Sequence, residues 1–233
     1  MVVERLKVEL YTVLKARGEL QKGEIGVEDA YRRLRGRQAG ILGESELNRM
    51  AVMVPLVKLE GKTHVLFEER ALTLNRQPGE VCFPGGAVEA DDRNPVRAAL
   101  RETCEELGIT RSDMEFIAPL DILITPYNSI VYPYLCEIEN PQAIRPNHGE
   151  VKSVFYVPLE FLLSNRPEVY EVGVYLDPPE DFPFHLIPGG RNYGWSRGTY
   201  RTYFYVYEGK VIWGMTARIL VSFLDLLRKL ETD

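Results

Sequence analysis

The sequence predicts a mixed α/β (α+β) fold, because strand-like and helix-like patterns alternate along a chain of 233 residues. Residues 50–67 carry two runs rich in Val and Leu on either side of a glycine-containing turn, which is typical of a β-hairpin. Residues 95–107 predict a helix with one polar face, and a second amphipathic helix lies near the C-terminus. These observations predict one main domain at residues 46–233, preceded by a helical extension at residues 1–45.

The composition is that of an ordinary globular protein, with 45% hydrophobic and 27% charged residues. The formal net charge of −6 argues against nonspecific binding of nucleic acid. The three cysteines follow no disulfide or metal-binding spacing, which favours reduced thiols and a cytoplasmic location. Since no apolar run reaches membrane-spanning length, we expect neither a membrane segment nor a signal peptide.

Two short helices are predicted in the N-terminal extension. Apolar residues recur at helical spacing from Val3 to Ala16, and Gly18 follows as a stop signal. Val27 to Leu34 predicts the second helix. We interpret the pair as a structural lid on the main domain, and a role in forming a homodimer or in shaping substrate access stays open.

The segment from Phe83 to Ile109 is the most informative part of the sequence. Its second half predicts a helix, since Asn94 is a favourable N-cap and Pro95 suits the first helical position. Gly108 can end the helix in a left-handed cap. Four residues at helical spacing form its predicted buried face: Ala99, Leu100, Cys104 and Leu107.

Glu102, Glu105 and Glu106 lie at positions i, i+3 and i+4, on one side of this helix. Like charges at this spacing cost a few tenths of a kcal/mol per pair, so the cluster needs a compensating positive charge. Such a helix is also common on protein surfaces, but here Gly85 and Gly86 lie upstream, where they let the backbone approach a ligand. Because Mg²⁺ prefers oxygen ligands, loop and helix together predict a metal–phosphate site.

The fixed positions of this segment resemble the Nudix box of the Nudix hydrolases. The matching residues are Gly86, Arg101, Glu102, Thr103, Glu105, Glu106, Gly108 and Ile109. The acidic residue usual in the intervening loop is represented by Glu89, Asp91 or Asp92. The loop is one residue longer than in the commonest form of the box. This longer loop resembles that of the coenzyme A pyrophosphatase branch. The resemblance implies the Nudix fold: a mixed β-sheet in an α/β/α sandwich, with the box as loop–helix–loop.

The loop before the box resembles, in part, a second motif of that branch. The matching residues are Leu66, Arg70, Ala71, Gly79, Phe83, Pro84, Gly85 and Gly86. The sequence departs from the motif at Phe67 and Glu68, where Leu and Thr are expected. It also has Asn75 in place of a second Arg, with Arg76 beside it, and Gln77 in place of a His.

The resemblance also implies a metal cofactor and its ligands. The Gly86 carbonyl and the carboxylates of Glu102, Glu105 and Glu106 would hold Mg²⁺ or Mn²⁺, with two or more ions acting. Their expected role is to activate the attacking water and to neutralise charge on the pyrophosphate oxygens.

Further catalytic and substrate-binding residues follow from the same resemblance. Arg101 would orient a box glutamate by ion pairing, and either Glu102 or Glu150 would be the catalytic base. Charge-assisted hydrogen bonds from Arg70 and Arg76 suit substrate phosphates, whereas the alternative for each is a solvated loop arginine. The complete set of substrate-binding candidates is Arg70, Arg76, Phe83 and Gly85.

Residues 163–201 predict a long irregular segment, rich in Pro, Gly and aromatic residues. The aromatic side chains suit either stacking on a base or anchoring of the loop: Tyr175, Phe182, Phe184, Tyr193 and Trp195. A final hairpin is predicted at residues 203–213, and Thr216 is the predicted N-cap of the C-terminal helix.

The function implied by the resemblance is metal-dependent hydrolysis of the pyrophosphate linkage in coenzyme A or its derivatives. The products would be 3′,5′-ADP and 4′-phosphopantetheine. One alternative is a Nudix pyrophosphatase acting on ADP-ribose or another nucleoside diphosphate derivative, and another is a non-catalytic nucleotide-binding regulatory module. Retention of all three box glutamates favours an enzyme, whose partner would be a small-molecule nucleotide substrate. The net charge and the lack of a long apolar run lead us to expect neither a nucleic-acid nor a membrane partner.

Overall fold

The structure, a computed structural model, describes residues 27–230 and divides the chain after Glu44 into two compact units. The first unit contains helix α1 (Val27–Leu34), which confirms the second of the two predicted N-terminal helices. The predicted helix at residues 3–16 lies outside the described residues. The second unit carries the remaining helices and all the paired strands of the described chain.

The main sheet of the second unit is mixed. Within the described residues it has eight strands: β1 (Asn48–Leu59), β2 (Lys62–Arg70), β3 (Val81–Cys82), β4 (Gly85–Ala87), β5 (Met114–Pro119), β6 (Leu123–Thr125), β7 (Ser129–Ile138) and β8 (Val151–Pro158). The order is β3-β2-β1-β7-β5, while β4 pairs with β1, β6 with β7 and β8 with β2. Strands β1 and β7 are parallel and the other pairs are antiparallel. The predicted hairpin of β1 and β2 is confirmed.

Helices cover both faces of this sheet. They are α2 (Pro95–Leu107), α3 (Leu159–Ser164) and α4 (Gly214–Leu230). Because strand side chains alternate between faces, Leu66 of β2 packs with the apolar residues of α2, whereas its neighbours Val65 and Phe67 pack with those of α4. The two faces therefore have separate hydrophobic clusters, and the predicted α/β/α sandwich is confirmed.

A second, three-stranded antiparallel sheet corrects the prediction of an irregular segment at residues 163–201. It consists of β9 (Glu168–Tyr175), β10 (Arg197–Tyr207) and β11 (Lys210–Trp213), with β10 in the middle. Strand β9 is almost entirely exposed, so its sequence lacks the regular burial pattern that identifies a half-buried strand. The predicted final hairpin is confirmed, although its first strand begins earlier, at Arg197.

Strands β5 and β6 each pair with β7, and the register of β5 shifts against β7 between Phe116 and Ala118. The predicted N-cap of the C-terminal helix is wrong. Helix α4 begins at Gly214, so Thr216 is inside its first turn. The Thr216 hydroxyl donates a hydrogen bond to the Val81 carbonyl at 3.1 Å and thereby joins α4 to β3.

An ion-pair network centred on Glu69 joins the two sheets. Glu69 of β2 is buried, and its carboxylate accepts hydrogen bonds from the ammonium groups of Lys152 on β8 and Lys210 on β11. The hydrogen bonds from these two lysines lower the pKa of Glu69 to about 2. A carboxyl whose pKa is lowered by folding stabilises the folded state at pH values above its ordinary pKa.

We therefore expect Glu69→Gln to lower the free energy of unfolding at pH 7 by about 1 to 2 kcal/mol, a value reduced for the partial exposure of both lysines. The folded pKa of Glu69 lies below the ordinary value of 4.5, so this contribution is lost as the pH falls from 4.5 towards about 2. Urea unfolding at pH 7, 5, 4 and 3 measures the difference between wild type and variant. Glu171→Gln is the control, because Glu171 pairs with Arg201 at 3.5 Å on the exposed surface. A constant difference at every pH would contradict this account.

Candidate active site

The glycine loop before α2 is part of the main sheet. Strand β4 pairs with β1, and Gly85 lies opposite Val52 while Gly86 lies opposite Ala51. Gly85 has a φ of 144°, and a Cβ at this position would collide with the carbonyl oxygen of Ala51. Only glycine therefore fits here without a shift of the backbone. The pairing with β1 holds the loop beside the part of α2 that carries Glu102 and Glu106.

Both predicted ends of α2 are confirmed. The Asn94 side chain accepts a hydrogen bond from the Arg97 N–H at 3.2 Å, and Pro95 is the first helical residue. Gly108 adopts the left-handed conformation with a φ of 61° and ends the helix. A Cβ on Gly108 would also collide with the carbonyl oxygen of Arg145, so a side chain is excluded there for two reasons.

The buried face of α2 differs from the predicted one. The buried residues are Ala98, Ala99, Thr103, Glu106 and Leu107, whereas Leu100 and Cys104 are only half-buried. The three box glutamates consequently have different environments. Glu106 is 5% exposed and Glu102 is half-buried, whereas the side chain of Glu105 is 58% exposed.

Glu106 is held by the glycine loop. Its carboxylate accepts a hydrogen bond from the Gly85 N–H at 2.7 Å. Burial raises the pKa of Glu106 to about 7, with the charges of Glu102 and Glu150 acting in the same direction and the Gly85 hydrogen bond opposing them. Glu106 is therefore a buried carboxyl at which additional positive charge would be strongly favourable.

Arg101 supplies the compensating positive charge expected for this cluster. Its guanidinium lies 2.8 Å from the Glu102 carboxylate, 3.0 Å from Asp92 and 3.6 Å from Glu105. The hydrogen bond from Arg101 lowers the pKa of Asp92, whereas burial raises that of Glu102. Of the three acidic loop candidates, Asp92 is the one that contacts Arg101, and it also accepts the Glu89 N–H at 3.0 Å.

The residues around Gly86 fit a divalent cation by their chemistry. A Cβ at Gly86 would lie 2.5 Å from the carboxyl carbon of Glu102, so this carboxylate occupies the space that the glycine leaves open. Carboxylate and carbonyl oxygens are the donors that Mg²⁺ prefers. Within residues 27–230, no three His, Cys, Asp or Glu side chains are grouped so as to hold an ion. Glu102 is instead engaged by Arg101, and Glu106 by the Gly85 N–H.

Glu150 and Arg70 lie at neighbouring ends of β8 and β2. Arg70 pairs with Val151, and the Ala71 N–H donates to the Glu150 carbonyl at 2.8 Å. The Glu150 side chain is exposed, but its charge raises the pKa values of both Glu102 and Glu106. The charge of Glu150 therefore acts on the carboxyl groups of the box, although Glu150 is remote from them in sequence.

A cavity of about 300 Å³ adjoins the glycine loop. Arg70, Phe83 and Gly85 line it, which brings three of the four substrate-binding candidates together. The ring of Phe83 is 3% exposed and stacks on Phe67 at 4.9 Å, so it belongs to the core that borders the cavity. The fourth candidate, Arg76, has an exposed side chain and is not among the lining residues, and its carbonyl accepts hydrogen bonds from Arg70 at 3.4 Å.

The aromatic residues of the cavity are not the ones that the sequence suggested. Those in residues 182–195 contact each other, with ring centroids 5.0 to 5.7 Å apart, and are not among the residues that line the cavity. Tyr127, Tyr200 and Trp213 line the cavity instead. Tyr200 and Trp213 belong to β10 and β11, so finding them requires the placement of the second sheet. Tyr200 lies under the Arg218 guanidinium at 4.4 Å.

Glu68 is an acidic residue near the site that the sequence indicated only as a departure from the motif. It is 1% exposed on β2, and its pKa is raised well above the usual range by burial and by the charge of Glu106. The signal in the sequence was its position two residues after Leu66, since strand alternation puts these two side chains on one face.

A mixed sheet between helical layers, with a glycine loop leading into a helix that bears three glutamates, defines a site suited to divalent cations and phosphate groups. The chain matches the family model described as the NUDIX domain over residues 47–174. It belongs to the Nudix family and is a Nudix hydrolase, an enzyme that cleaves pyrophosphate linkages in small molecules. Nudix hydrolases generally use divalent metal ions.

Two similar proteins are coenzyme A diphosphatases by name. The chain is 34% identical to the peroxisomal coenzyme A diphosphatase NUDT7 of Mus musculus over 162 residues, which are 69% of this chain and 68% of that protein. It is 32% identical to the mitochondrial coenzyme A diphosphatase NUDT8 of Homo sapiens over 217 residues, 92% of this chain and 80% of that protein. Across residues 27–230, no helix combines the length and apolarity needed to cross a membrane.

Proposed function

We propose that this Nudix hydrolase acts on coenzyme A or its derivatives and releases 3′,5′-ADP and 4′-phosphopantetheine. One observation carries the proposal: Gly85 connects the carboxylate cluster to the cavity. Its N–H binds the Glu106 carboxylate at 2.7 Å, and the same residue lines the cavity with Arg70. A pyrophosphate at the glycine loop can therefore be reached by the box carboxylates while the rest of the substrate occupies the cavity. The names of the two similar coenzyme A diphosphatases support this substrate class.

The proposed metal ligands are the Gly86 carbonyl and the carboxylates of Glu102, Glu105 and Glu106, with Mg²⁺ or Mn²⁺ as the ion. When bound, such cations neutralise charge on the pyrophosphate oxygens and activate water for attack. Glu106 would contribute a buried carboxylate that the hydrogen bond from the Gly85 N–H holds in one position. Glu105 is exposed and pairs with Arg101 at 3.6 Å, so its carboxylate is less restrained than that of Glu106.

Arg101 is proposed as a positioning residue. Its guanidinium holds Glu102 at 2.8 Å and is itself anchored by Asp92 at 3.0 Å, so the Glu102 carboxylate is fixed beside Gly86. Either Glu102 or Glu150 accepts the proton from the attacking water. Both are candidates because each is at least partly exposed to solvent, and because burial and the negative charge of Glu150 both raise the pKa of Glu102.

The cavity suits the organic part of a coenzyme A molecule. Its lining combines aromatic rings, which favour an adenine base or the pantetheine arm, with the Arg70 guanidinium, which favours a phosphate. Coenzyme A carries a 3′-phosphate in addition to its pyrophosphate. We assign Arg70 to this phosphate, since the hydrogen bonds of its guanidinium to the Arg76 carbonyl are weak, at 3.4 Å.

Arg70→Ala is accordingly expected to raise KM for coenzyme A by about tenfold, because one charge-assisted hydrogen-bonding partner is lost. KM for dephospho-coenzyme A, which lacks the 3′-phosphate, should change by about threefold or less. Steady-state kinetics with both substrates measures the two values. Arg166→Ala is the control, since Arg166 is an exposed arginine outside the cavity lining. Equal effects on the two substrates would remove the assignment of Arg70 to the 3′-phosphate.

The second candidate substrate is ADP-ribose or another nucleoside diphosphate derivative. The observation that favours it is Asn75, which stands where the coenzyme A motif has an Arg, together with the exposed Arg76 that does not line the cavity. Comparison of kcat/KM for coenzyme A, acetyl-coenzyme A, ADP-ribose, NADH and a dinucleoside polyphosphate separates the candidates. We expect the highest value for coenzyme A or its acetyl derivative. A higher value for ADP-ribose would assign the cavity to the second candidate.

A further inference from the structure

Glu68 lies on the face of the main sheet that α2 covers. Leu66, two residues earlier on β2, packs with Ala98, Ala99 and Leu107 of α2. Because side chains alternate along a strand, Glu68 faces the same side as Leu66, whereas Glu69 faces the opposite side with its two lysines. The Glu68 side chain therefore lies between an inner strand of the sheet and the helix that carries the box glutamates.

The Glu68 carboxyl lacks the partners that a buried acid normally has. Its side chain is 1% exposed, and among the described residues its Oε1 has no hydrogen-bond partner. Burying a polar group in this way costs free energy unless a partner compensates for the lost hydration. By contrast, the neighbouring Glu69 is also buried but has two ammonium partners. Among the described residues, the buried Oε1 of Glu68 therefore meets no hydrogen-bond donor, and it has a lone pair available for a cation.

The charged groups that act on Glu68 are those of the candidate active site. Glu68 pairs across the strands with Cys82 of β3, three residues before Gly85. The Gly85 N–H binds the Glu106 carboxylate at 2.7 Å, so Glu68 and Glu106 lie on either side of the glycine loop. Burial and the charges of Glu106 and Glu150 raise the pKa of Glu68, and the charge of Arg70 lowers it, in agreement with this placement. A divalent cation supplies positive charge and takes oxygen ligands, and so satisfies both requirements.

We propose that Glu68 is an additional carboxylate of the divalent-metal site, acting with Glu106 on the sheet side of the box helix. This inference rests on the proposed metal-dependent function and extends its ligand set beyond the box. It also gives a role to the departure at position 68, where the coenzyme A motif has Thr. A neutral Thr would satisfy its hydroxyl locally, whereas a carboxylate adds charge and two oxygen donors for the cation.

The test is direct binding of Mn²⁺, measured by electron paramagnetic resonance of the free ion during titration of the full-length protein. We expect Glu68→Gln, which keeps the size of the side chain, to weaken Mn²⁺ binding by about tenfold or more. The shift in melting temperature that Mn²⁺ produces should shrink in parallel, because a ligand stabilises a protein according to its affinity. Glu115→Gln is the matched control, since Glu115 is an exposed carboxyl on the edge strand β5.

Glu68→Thr provides a second variant, which restores the residue of the motif and decides the question if Glu68→Gln does not fold. Mn²⁺ binding equal to that of wild type in a folded variant would overturn the role of Glu68 and leave the box site in place. If the variant binds Mn²⁺ as wild type does, and its metal-free form melts at a higher temperature than metal-free wild type, then Glu68 is a neutral buried acid without a role in metal binding. Failure of the wild-type protein to bind Mn²⁺ would overturn the metal-dependent function as well, so the two failures are distinguishable.

Discussion

Replacing Glu106 with Gln is expected to lower the turnover number by about a hundredfold or more while the fold is preserved. The amide oxygen of the new side chain can still accept the Gly85 N–H, which lies 2.7 Å from the native carboxylate, so the glycine loop keeps its anchor. The charge, however, is lost at the most deeply buried of the three box glutamates. Steady-state kinetics with saturating Mn²⁺ measures the turnover number, and circular dichroism with thermal unfolding checks the fold.

Glu115→Gln is the control for Glu106→Gln, because it removes an exposed carboxyl from β5 and should leave turnover unchanged. The metal-free Glu106→Gln variant should be no less stable than wild type at pH 8. Burial raises the pKa of Glu106 to about 7, which means that its ionised form is unfavourable in the folded state at that pH. Near-normal turnover in the folded variant would contradict the proposed role of Glu106 in metal binding.

Gly86→Ala and Gly85→Ala are expected to have large effects of different kinds. At Gly86 the new Cβ would meet the carboxyl end of Glu102 at 2.5 Å, and this flexible side chain can move away. We expect little loss of stability but a decrease in kcat of about tenfold to a hundredfold, because a displacement of about 1 Å at a reacting group can cost that much. At Gly85 the new Cβ would meet the Ala51 carbonyl and Val52 backbone, which cannot move independently of β1.

Gly85→Ala should therefore lower the melting temperature by several degrees, since a φ of 144° is also unfavourable for alanine. Activity assays and thermal unfolding of both variants separate the two effects. Gly173→Ala is a control, because an added Cβ there meets no atom within 4 Å. An unchanged kcat for Gly86→Ala would show that the Glu102 position beside the glycine is unimportant for catalysis.

Features determined by local sequence were the ones that could be predicted. The ends of α2 depend on Asn94, Pro95 and Gly108, whose effects act within one helical turn. The β1–β2 hairpin likewise depends on a short turn and on neighbouring residues. The box glutamates were identified by spacing and by resemblance, and the comparison with known proteins confirmed the family.

The environment of each glutamate could not be predicted, because it depends on contacts between distant parts of the chain. Glu106 is buried against Gly85, which is 21 residues away in sequence, and helical periodicity alone does not show which side the loop covers. The role of Glu68 could be recognised only once β2 was known to be an inner strand, between β3 and β1. Tyr200 and Trp213 line the cavity only through the pairing of β10 with β9 and β11. A cytoplasmic location and a homodimer stay predictions.

The most direct test of the central claim is identification of the products formed from coenzyme A. Purified protein is incubated with coenzyme A and Mg²⁺ or Mn²⁺, with a parallel sample containing excess EDTA, and the products are separated by chromatography. We expect equal amounts of 3′,5′-ADP and 4′-phosphopantetheine, formed with metal and absent with EDTA. Intact coenzyme A in every sample, under conditions in which the protein hydrolyses ADP-ribose or another nucleoside diphosphate derivative, would contradict the proposed substrate.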